Sequence, residues 1–165
     1  MFGTASDERE VNVPASEAWK VYGSLLLAKV AGELLGDIIS KTEVVVGDGG
    51  VGTIVEIFFI PGTPGPASYK EKFTVVDDAR RVKETEVVEG GFLDLGFKYY
   101  RVRLEVIEKE DKNRCITKST IEYEVNEEAA ANAAFASIKP LTALMESVAD
   151  YLLKNHNKDI SSANA

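Results

Sequence analysis

The sequence predicts an α+β fold in which a curved, seven-stranded antiparallel sheet wraps around a long C-terminal helix, with two short helices and an internal apolar cavity. Three features indicate this fold: a strand followed directly by two helical segments, a long series of strands with short turns, and a C-terminal segment with helical spacing of apolar residues. A curved sheet that grips one helix leaves a space between them, and apolar spaces of this kind commonly bind ligands.

One strand and two helices are predicted at the N-terminal end. Residues Arg9–Val13 alternate in polarity and end at Pro14, and the segment 15–22 then carries apolar side chains at helical spacing. A second helical segment, at about 25–35, has the same spacing and ends at Gly36. The first strand therefore leads into two consecutive helices.

Strands rich in β-branched and aromatic residues dominate the next part of the chain. Short turns rich in Gly, Pro, Asp and Asn separate them, and uninterrupted neighbouring strands with short turns indicate an antiparallel meander. The predicted strands are 39–46, 53–60, 67–76, 81–89, 95–108 and 113–125.

The pattern changes at Asn126 to an alanine-rich segment that leads into a long helix. Apolar side chains from Phe135 to Leu152 recur every three or four residues. Pro140 lies inside this pattern and removes one backbone hydrogen bond, so a bent helix is expected. The polar end of the chain, residues 156–165, is expected to form a flexible tail.

The glycine-rich segment GDGGVGT, residues 47–53, has the spacing of a dinucleotide-binding loop and resembles a phosphate-binding loop without its lysine. Both loops require a helix to begin at the glycines, because the phosphate lies on the free N–H groups of that helix. The residues that follow, 54–60, have the composition of a strand. A turn between two strands is therefore favoured over phosphate binding.

Length and charge limit the classes of function. The 165 residues fit a single domain, 1–165, and 45% of them are hydrophobic, which is enough for a sizeable core. A net charge of −8 argues against nucleic acid and against an anionic membrane as partners. The first residues do not have the pattern of a secretory signal, and no apolar run is long enough to span a membrane, so a cytoplasmic protein is expected.

The cysteine and histidine content limits the chemistry further. Cys115 is the single cysteine and His156 the single histidine. A disulfide, a cysteine or histidine metal site and a histidine-based catalytic triad are therefore not expected. Cys115 lies in a strand-like run and is expected to be a buried structural residue. Chemistry is left to Lys, Glu, Asp, Tyr or Ser.

Glu71 is the polar residue that most clearly interrupts an apolar face. In residues 68–76, period-two alternation places Tyr69, Glu71, Phe73 and Val75 on one side of the strand. A carboxylate on that side has a partner or a raised pKa, and a raised pKa suits a general base near neutral pH. An ordinary ion pair or an exposed edge position would explain the residue equally well.

Two lysines and one tyrosine are further candidates. Lys83 shares a strand face with Arg81, Thr85 and Val87, and an outward orientation is expected by default because lysine is rarely buried. In the later strand, Tyr100 lies on the inward face, and Lys98 is expected on the same face at the mouth of the cavity. Core packing would also account for Tyr100.

Four segments resemble known proteins in their order and spacing: GDGGVGT, YKEKF, VEGGFLDLGFKYY and ITKSTIEYEV. They are similar to the plant norcoclaurine synthases and norbelladine synthases, members of the pathogenesis-related class-ten family with the birch-pollen-allergen fold. The resemblance runs from Glu10 to about Leu153 and implies a START-like helix-grip fold. The family also includes binders of hormones and flavonoids, and GDGGVGT occurs in both kinds of protein.

The resemblance also implies a set of catalytic residues. Norcoclaurine synthases have a tyrosine and a glutamate two residues apart, a lysine twelve residues further on and an aspartate nineteen beyond it. Tyr69, Glu71 and Lys83 match the first three, whereas the aspartate position falls on Val102, where norbelladine synthases also have an aliphatic residue. Contacts to the substrates are expected from Phe73, Lys98, Tyr100, Val102 and Leu144.

The activity implied by the resemblance joins a phenethylamine to an aromatic aldehyde through an imine, with Pictet–Spengler ring closure in the norcoclaurine case. Neither a cofactor nor a metal is required, and a monomer or weak homodimer is expected. Two alternatives remain open. A binder could hold cytokinins, gibberellins or flavonoids in the same cavity, and an isomerase could use Glu71 on a finished alkaloid.

Overall fold

The computed structural model describes residues 1–163 and contains seven strands and three α-helices. Two 3₁₀ segments, Gly91–Leu95 and Glu127–Ala136, connect some of them. The helices are α1 Ala15–Tyr22, α2 Leu26–Leu34 and α3 Lys139–Ala163. The strands are β1 Phe2–Val11, β2 Ile39–Val46, β3 Ile54–Phe59, β4 Ser68–Asp77, β5 Val82–Gly90, β6 Phe97–Glu108 and β7 Cys115–Val125.

All seven strands form one antiparallel sheet in the order β1-β7-β6-β5-β4-β3-β2. Consecutive strands from β2 to β7 are neighbours, as the short turns predict, and β1 closes the series beside β7. The helices cover one face of the sheet, and the predicted helix-grip architecture is confirmed.

The core consists of two apolar clusters on the covered face of the sheet. One cluster joins α1, α2 and α3 to strands β1, β6 and β7, with Tyr22, Met145 and Val148 at its centre. The other surrounds Phe92 and Tyr100, whose rings stack with centroids 3.8 Å apart. Cys115 is fully buried in the first cluster, as its sequence context predicts.

The glycine-rich segment is the turn between β2 and β3 that the sequence favours. Gly47, Gly49 and Gly52 all have positive φ, which glycine adopts without steric cost. The hydroxyl of the buried Thr53 accepts a hydrogen bond from the N–H of Gly49 at 2.9 Å. Because β3 follows the segment directly, no helix begins at these glycines.

Strand β1 is longer than the alternation in the sequence predicts. It begins at Phe2 rather than Arg9 and pairs with β7 along its whole length. Its inward positions include Gly3 and Ala5, which are too small to produce a visible apolar alternation.

The C-terminal helix is also different from the prediction. Pro140 is the second residue of α3, where a missing N–H removes no intrahelical bond, so it starts the helix instead of bending it. Phe135 lies in the preceding 3₁₀ segment. Residues 156–163, expected in a flexible tail, continue α3, and His156 Nδ1 lies 2.8 Å from the carboxylate of Glu17. Residues 164–165 of the expected tail lie outside the described residues.

Candidate active site

Strand β4 carries the first part of the site. Tyr69, Glu71 and Phe73 alternate with outward residues and face the helices, as period two predicts. Phe73 is 1% exposed, whereas Tyr69 and Glu71 are half-buried. An apolar strand face therefore carries one carboxylate flanked by two aromatic rings.

Lys83 lies on the inner face of β5 and is only 3% exposed, so the default expectation of an outward lysine is wrong. Two contacts compensate for its burial. Its Nζ lies 3.9 Å from the centroid of the Phe73 ring and donates to the backbone carbonyl of Ser24 at 3.3 Å. Both contacts favour a cation. The face of an aromatic ring has a negative electrostatic potential, and Ser24 lies just beyond the C-terminal end of α1, which carries partial negative charge.

The protonation of Glu71 and Lys83 is set by burial and by each other. Burial raises the pKa of Glu71, against the smaller opposing effects of the Lys83 charge and of a hydrogen bond from Thr85. That bond runs from Thr85 Oγ1 to Glu71 Oε2 at 3.3 Å. Burial lowers the pKa of Lys83 to about 8, while the Glu71 carboxylate opposes this effect. Near neutral pH, a partly desolvated acid and an ammonium close to its titration range face the same interior.

Two tyrosines, the half-buried Tyr69 and the buried Tyr100, complete the polar surroundings. Burial raises the pKa of Tyr69 well above its usual value, and the nearby Glu71 carboxylate raises it further. The pKa of Tyr100 is raised for the same two reasons. Both hydroxyls therefore remain protonated and can donate hydrogen bonds.

A cavity of about 190 Å³ lies between the sheet and α3. Four of the predicted residues line it: Tyr69, Tyr100, Val102 and Leu144. Glu71, Lys83 and Phe73 do not line it but lie beside it. Glu71 is two residues from Tyr69 on β4, and Thr85, its hydrogen-bond donor, pairs with Val102 on β6. The structure thus places the acid and the cation next to the cavity but outside its lining.

Lys98 is not part of this arrangement, contrary to the sequence prediction. It is exposed, and its Nζ donates to Glu124 at 2.8 Å on the outer surface. The pairing of β6 with β7 shifts by one residue between Phe97 and Tyr99, and this bulge turns Phe97 inward in place of Lys98.

Thr85 and Phe92 belong to the site, although the sequence pattern does not assign them to it. Thr85 lies on the same face as Lys83, and that alternation was the signal that could have identified it. Phe92 lines the cavity from the 3₁₀ segment after β5, a segment that gives no periodic signal.

Two negative findings concern other kinds of site. Across the part of the chain that the structure describes, no three His, Cys, Asp or Glu side chains are grouped closely enough to hold a metal ion. Within residues 1–163, no helix is both long and apolar enough to cross a membrane. A larger but open groove of about 580 Å³ lies between α2 and β2, and neither Glu71 nor Lys83 lines it.

Comparison with known proteins identifies the family of the chain. Residues 1–155 match the model of the pathogenesis-related protein Bet v 1 family. The chain belongs to this family. The match covers every strand and most of α3, so it includes all residues of the candidate site.

Relatives within the family include named synthases. The chain is 48% identical to norbelladine synthase from Narcissus pseudonarcissus over 93% of its own length and 94% of the relative. It is 39% identical to S-norcoclaurine synthase 2 from Papaver somniferum over 88% of its length, but spans only 63% of that longer relative.

A solved structure of norcoclaurine synthase from Thalictrum flavum, in complex with dopamine and hydroxybenzaldehyde, has a similar fold. The TM-score is 0.82 at 37% identity, over 93% of this chain and 88% of that one.

Proposed function

We propose that the protein condenses a phenethylamine, such as dopamine or tyramine, with an aromatic aldehyde through an imine. The observation that carries this proposal is the placement of a buried ammonium, Lys83, and a half-buried carboxylate, Glu71, beside an apolar cavity lined by Tyr69. The similarity to norbelladine synthase over nearly the whole chain supports the substrate class.

In the first step, the amine nitrogen attacks the aldehyde carbon, and the Lys83 ammonium donates a hydrogen bond to the carbonyl oxygen as it gains negative charge. Glu71 takes the proton that the amine releases. Glu71 passes this proton to the alkoxide oxygen, which gives the neutral carbinolamine. Lys83 then protonates the hydroxyl, which leaves as water, and the iminium nitrogen returns its proton to Lys83 as the imine forms. The apolar cavity excludes bulk water and so favours imine over hydrate, while Tyr69 orients the aromatic rings.

Ring closure would require the aromatic ring of the amine to attack the iminium carbon, with Glu71 removing the ring proton. Val102 offers no charge where norcoclaurine synthases, by the resemblance above, have an aspartate. One fewer negative group then stabilises the iminium ion. We therefore propose condensation to the imine as the principal activity and ring closure as the less efficient one.

The proposed site uses the chain's own groups alone, with no cofactor and no metal. Phe73, Tyr100, Val102 and Leu144 are proposed to contact the substrates. Lys98 is excluded because it lies on the outer surface.

We further propose that residues 1–165 act as one domain, as a monomer or weak homodimer, in the cytoplasm. The single continuous sheet supports one folding unit. The lone buried cysteine, Cys115, supports a compartment in which no disulfide is needed.

To test the proposal, purified protein is incubated with each of two amine–aldehyde pairs. Dopamine with 4-hydroxyphenylacetaldehyde reports ring closure by chiral chromatography and mass spectrometry, and tyramine with 3,4-dihydroxybenzaldehyde, trapped by borohydride, reports the imine. We expect trapped product well above the buffer background and little enantiomeric excess of a ring-closed product. Trapped product at the background level would contradict the proposal.

Variants at the site provide a sharper test. Glu71→Gln and Lys83→Met should each lower kcat/KM at least about a hundredfold, because each removes a group that moves or stabilises charge. Glu89→Gln and Lys98→Met change the same residue types on the outer surface and should leave the rate unchanged. Full activity in both site variants would overturn the assignment of Glu71 and Lys83.

A second candidate function is a binder of hormones or flavonoids. The observation that favours it is that neither Glu71 nor Lys83 lines the cavity. A binder would show saturable binding of such a ligand, equal in the wild type and in Glu71→Gln, with no trapped product in the assay above.

A further inference from the structure

Thr85 is a buried hydroxyl residue at the centre of the sheet. It is 6% exposed and lies two residues from Lys83 on the inner face of β5. It pairs with Phe73 of β4 on one side and Val102 of β6 on the other. A hydroxyl in such apolar surroundings is costly to bury without a hydrogen-bond partner, and its partner is Glu71 Oε2 at 3.3 Å.

We propose that Thr85 is a positioning residue for Glu71, holding Oε2 so that Oε1 is the oxygen that takes the substrate's proton. This inference rests on the proposed function for its catalytic meaning. Its structural part, the control of the Glu71 carboxylate by one hydroxyl, stands without it.

The surroundings of Glu71 explain why a single hydroxyl matters. The ionisable groups near the carboxylate are Tyr69 on β4, Lys83 on β5 and Tyr100 on β6, and α3 faces the cavity with the apolar Leu141 and Leu144. The Lys83 ammonium donates to the carbonyl of Ser24 rather than to Glu71. Among residues 1–163, Thr85 is thus the only side chain with a hydrogen bond to the Glu71 carboxylate.

The hydrogen bond from Thr85 to Glu71 Oε2 has two physical effects. It fixes the rotation of the carboxylate, so that the second oxygen has a constant direction relative to a bound amine. It also stabilises the ionised form, which burial disfavours. Without the hydroxyl, Glu71 would remain protonated to a higher pH and would be a base over a narrower range.

A plain packing role for Thr85 makes a different prediction. Threonine is common in strands because its branched side chain packs well there, and for that purpose valine would serve as well. The variant Thr85→Val keeps the shape and removes the hydroxyl, whereas Thr85→Ser keeps the hydroxyl and removes the methyl group. The two variants therefore separate positioning from packing.

The first measurement is an NMR titration of the Glu71 side-chain carboxyl carbon in protein labelled with ¹³C-glutamate, with the signal assigned by Glu71→Gln. In Thr85→Val the titration midpoint should rise by roughly one pH unit, since a hydrogen bond to a charged group is lost. Thr85→Ser should stay near the wild type. Thr74→Val, which removes an exposed hydroxyl on the adjacent strand, serves as the control and should not shift the midpoint.

An unchanged midpoint in folded Thr85→Val would overturn the proposal. If Thr85→Val does not fold, Thr85→Ala replaces it, and equal midpoints in Thr85→Ala and Thr85→Ser would overturn the proposal in the same way.

The second measurement is the pH profile of kcat/KM for the trapped condensation. We expect its acid limb to move to higher pH in Thr85→Val by the amount seen in the titration, and to return in Thr85→Ser. A wild-type protein without condensing activity would reject the proposed function, while the titration would still decide the control of Glu71 by Thr85. A shifted midpoint with an unshifted acid limb would reject Glu71 as the base.

Discussion

Lys83 is a charged residue held in a buried position, where loss of water is unfavourable for a charge. The Phe73 ring and the Ser24 carbonyl partly replace the water that its ammonium loses on burial. They do not replace it fully, because the pKa of Lys83 falls to about 8 from an ordinary value of 10.5. The folded state therefore binds its proton less tightly than the unfolded chain does.

This difference predicts how stability depends on pH. Between about pH 8 and 10.5 the unfolded chain carries a proton on Lys83 that the folded chain has lost, so this group makes the protein more stable as pH rises. Below pH 8 both states are protonated, and the burial of the charge lowers stability by a constant amount. Removal of Lys83 also removes the charge that favours ionised Glu71, but Glu71 can respond by binding a proton, so replacing Lys83 by Met should stabilise the protein at pH 7 by about 1–3 kcal/mol.

The measurement is urea unfolding of the wild type and Lys83→Met at pH 7 and pH 10. The difference in the free energy of unfolding should be largest at pH 7 and should shrink at pH 10. Lys98→Met is the control, since this exposed lysine has an ion pair with Glu124 and its removal should give no gain. Lower stability of Lys83→Met at both pH values would show that its contacts outweigh its desolvation.

For single residues, the sequence predicts the orientation of some side chains but not of others. Period two on β4 places Glu71 on the inner face without any further information. The orientation of Lys83 is ambiguous from alternation alone, because no local pattern reveals the carbonyl and the ring that receive it. Lys98 is misplaced because one bulge in β6 reverses the alternation before Tyr99, and a bulge has no sequence signature here.

Among the connecting elements, the 3₁₀ segment after β5 supports the site most directly. Its first residue, Gly91, has φ +54°, and a Cβ added there would lie 2.5 Å from Cβ of Tyr69. The segment also contributes Phe92 to the cavity wall. A glycine in this element therefore allows the connection to pass directly beside a site residue.

Replacement of Gly91 by Ala should displace Tyr69. We expect a loss of about 1–3 kcal/mol in the free energy of unfolding, because of the left-handed backbone and the contact, together with a reduced kcat/KM. Chemical denaturation and the trapped-product assay measure the two effects. The matched variant Gly36→Ala has open space around the added Cβ and should change neither value. If Gly91→Ala matched the wild type in both, the close approach would have no consequence.

The observed bounds of an element differ from the predicted ones where tertiary contacts, and not the local sequence, determine the residue at which the element begins. The first half of β1 is held by pairing with β7, which short-range alternation cannot report. Pro140 indicates a bend only if the helix already runs through it, and the structure instead begins α3 beside it. The hairpin at Gly47–Thr53 was predicted correctly because its cause, a strand on each side, is visible in the sequence.

For the whole molecule, the relation between the sheet and α3 sets the size of the cavity. A volume of about 190 Å³ is small beside the roughly 300–1,000 Å³ typical of ligand pockets. Leu144 lines this cavity from α3, whereas Leu152, two turns later, is buried in the other apolar cluster. The same helix thus serves the cavity at one end and the core at the other.

Leu144→Ala should enlarge the cavity and favour bulkier aldehydes. We expect the ratio of kcat/KM for a bulky aldehyde to that for 3,4-dihydroxybenzaldehyde to rise several-fold, while stability falls by about 1–3 kcal/mol. Leu152→Ala should lower stability by about 2–5 kcal/mol without changing the ratio. Equal ratios in both variants would mean that this cavity does not select the aldehyde.

The overall architecture could be predicted because it follows from the order of the elements and from their apolar faces. Short stretches of the sequence are enough to show both. The position of Glu71 and Lys83 outside the lining of the cavity could not be predicted. It depends on how closely α3 and the segments around Phe92 and Phe135 pack over the sheet, and this is a property of distant residues together.

The hydrogen bond from Lys83 to the Ser24 carbonyl determines when the entropic cost of confining the lysine side chain arises. A free lysine explores many rotamers, and confining it costs up to roughly 2 kcal/mol. Here the ammonium is held by the Ser24 carbonyl, in the connection between α1 and α2, so that the side chain is confined before any ligand arrives. Among the described residues, 1–163, one of its three N–H donors has an acceptor, the Ser24 carbonyl. The cost thus belongs to folding, and the position of the ammonium beside the cavity is already fixed when a molecule binds.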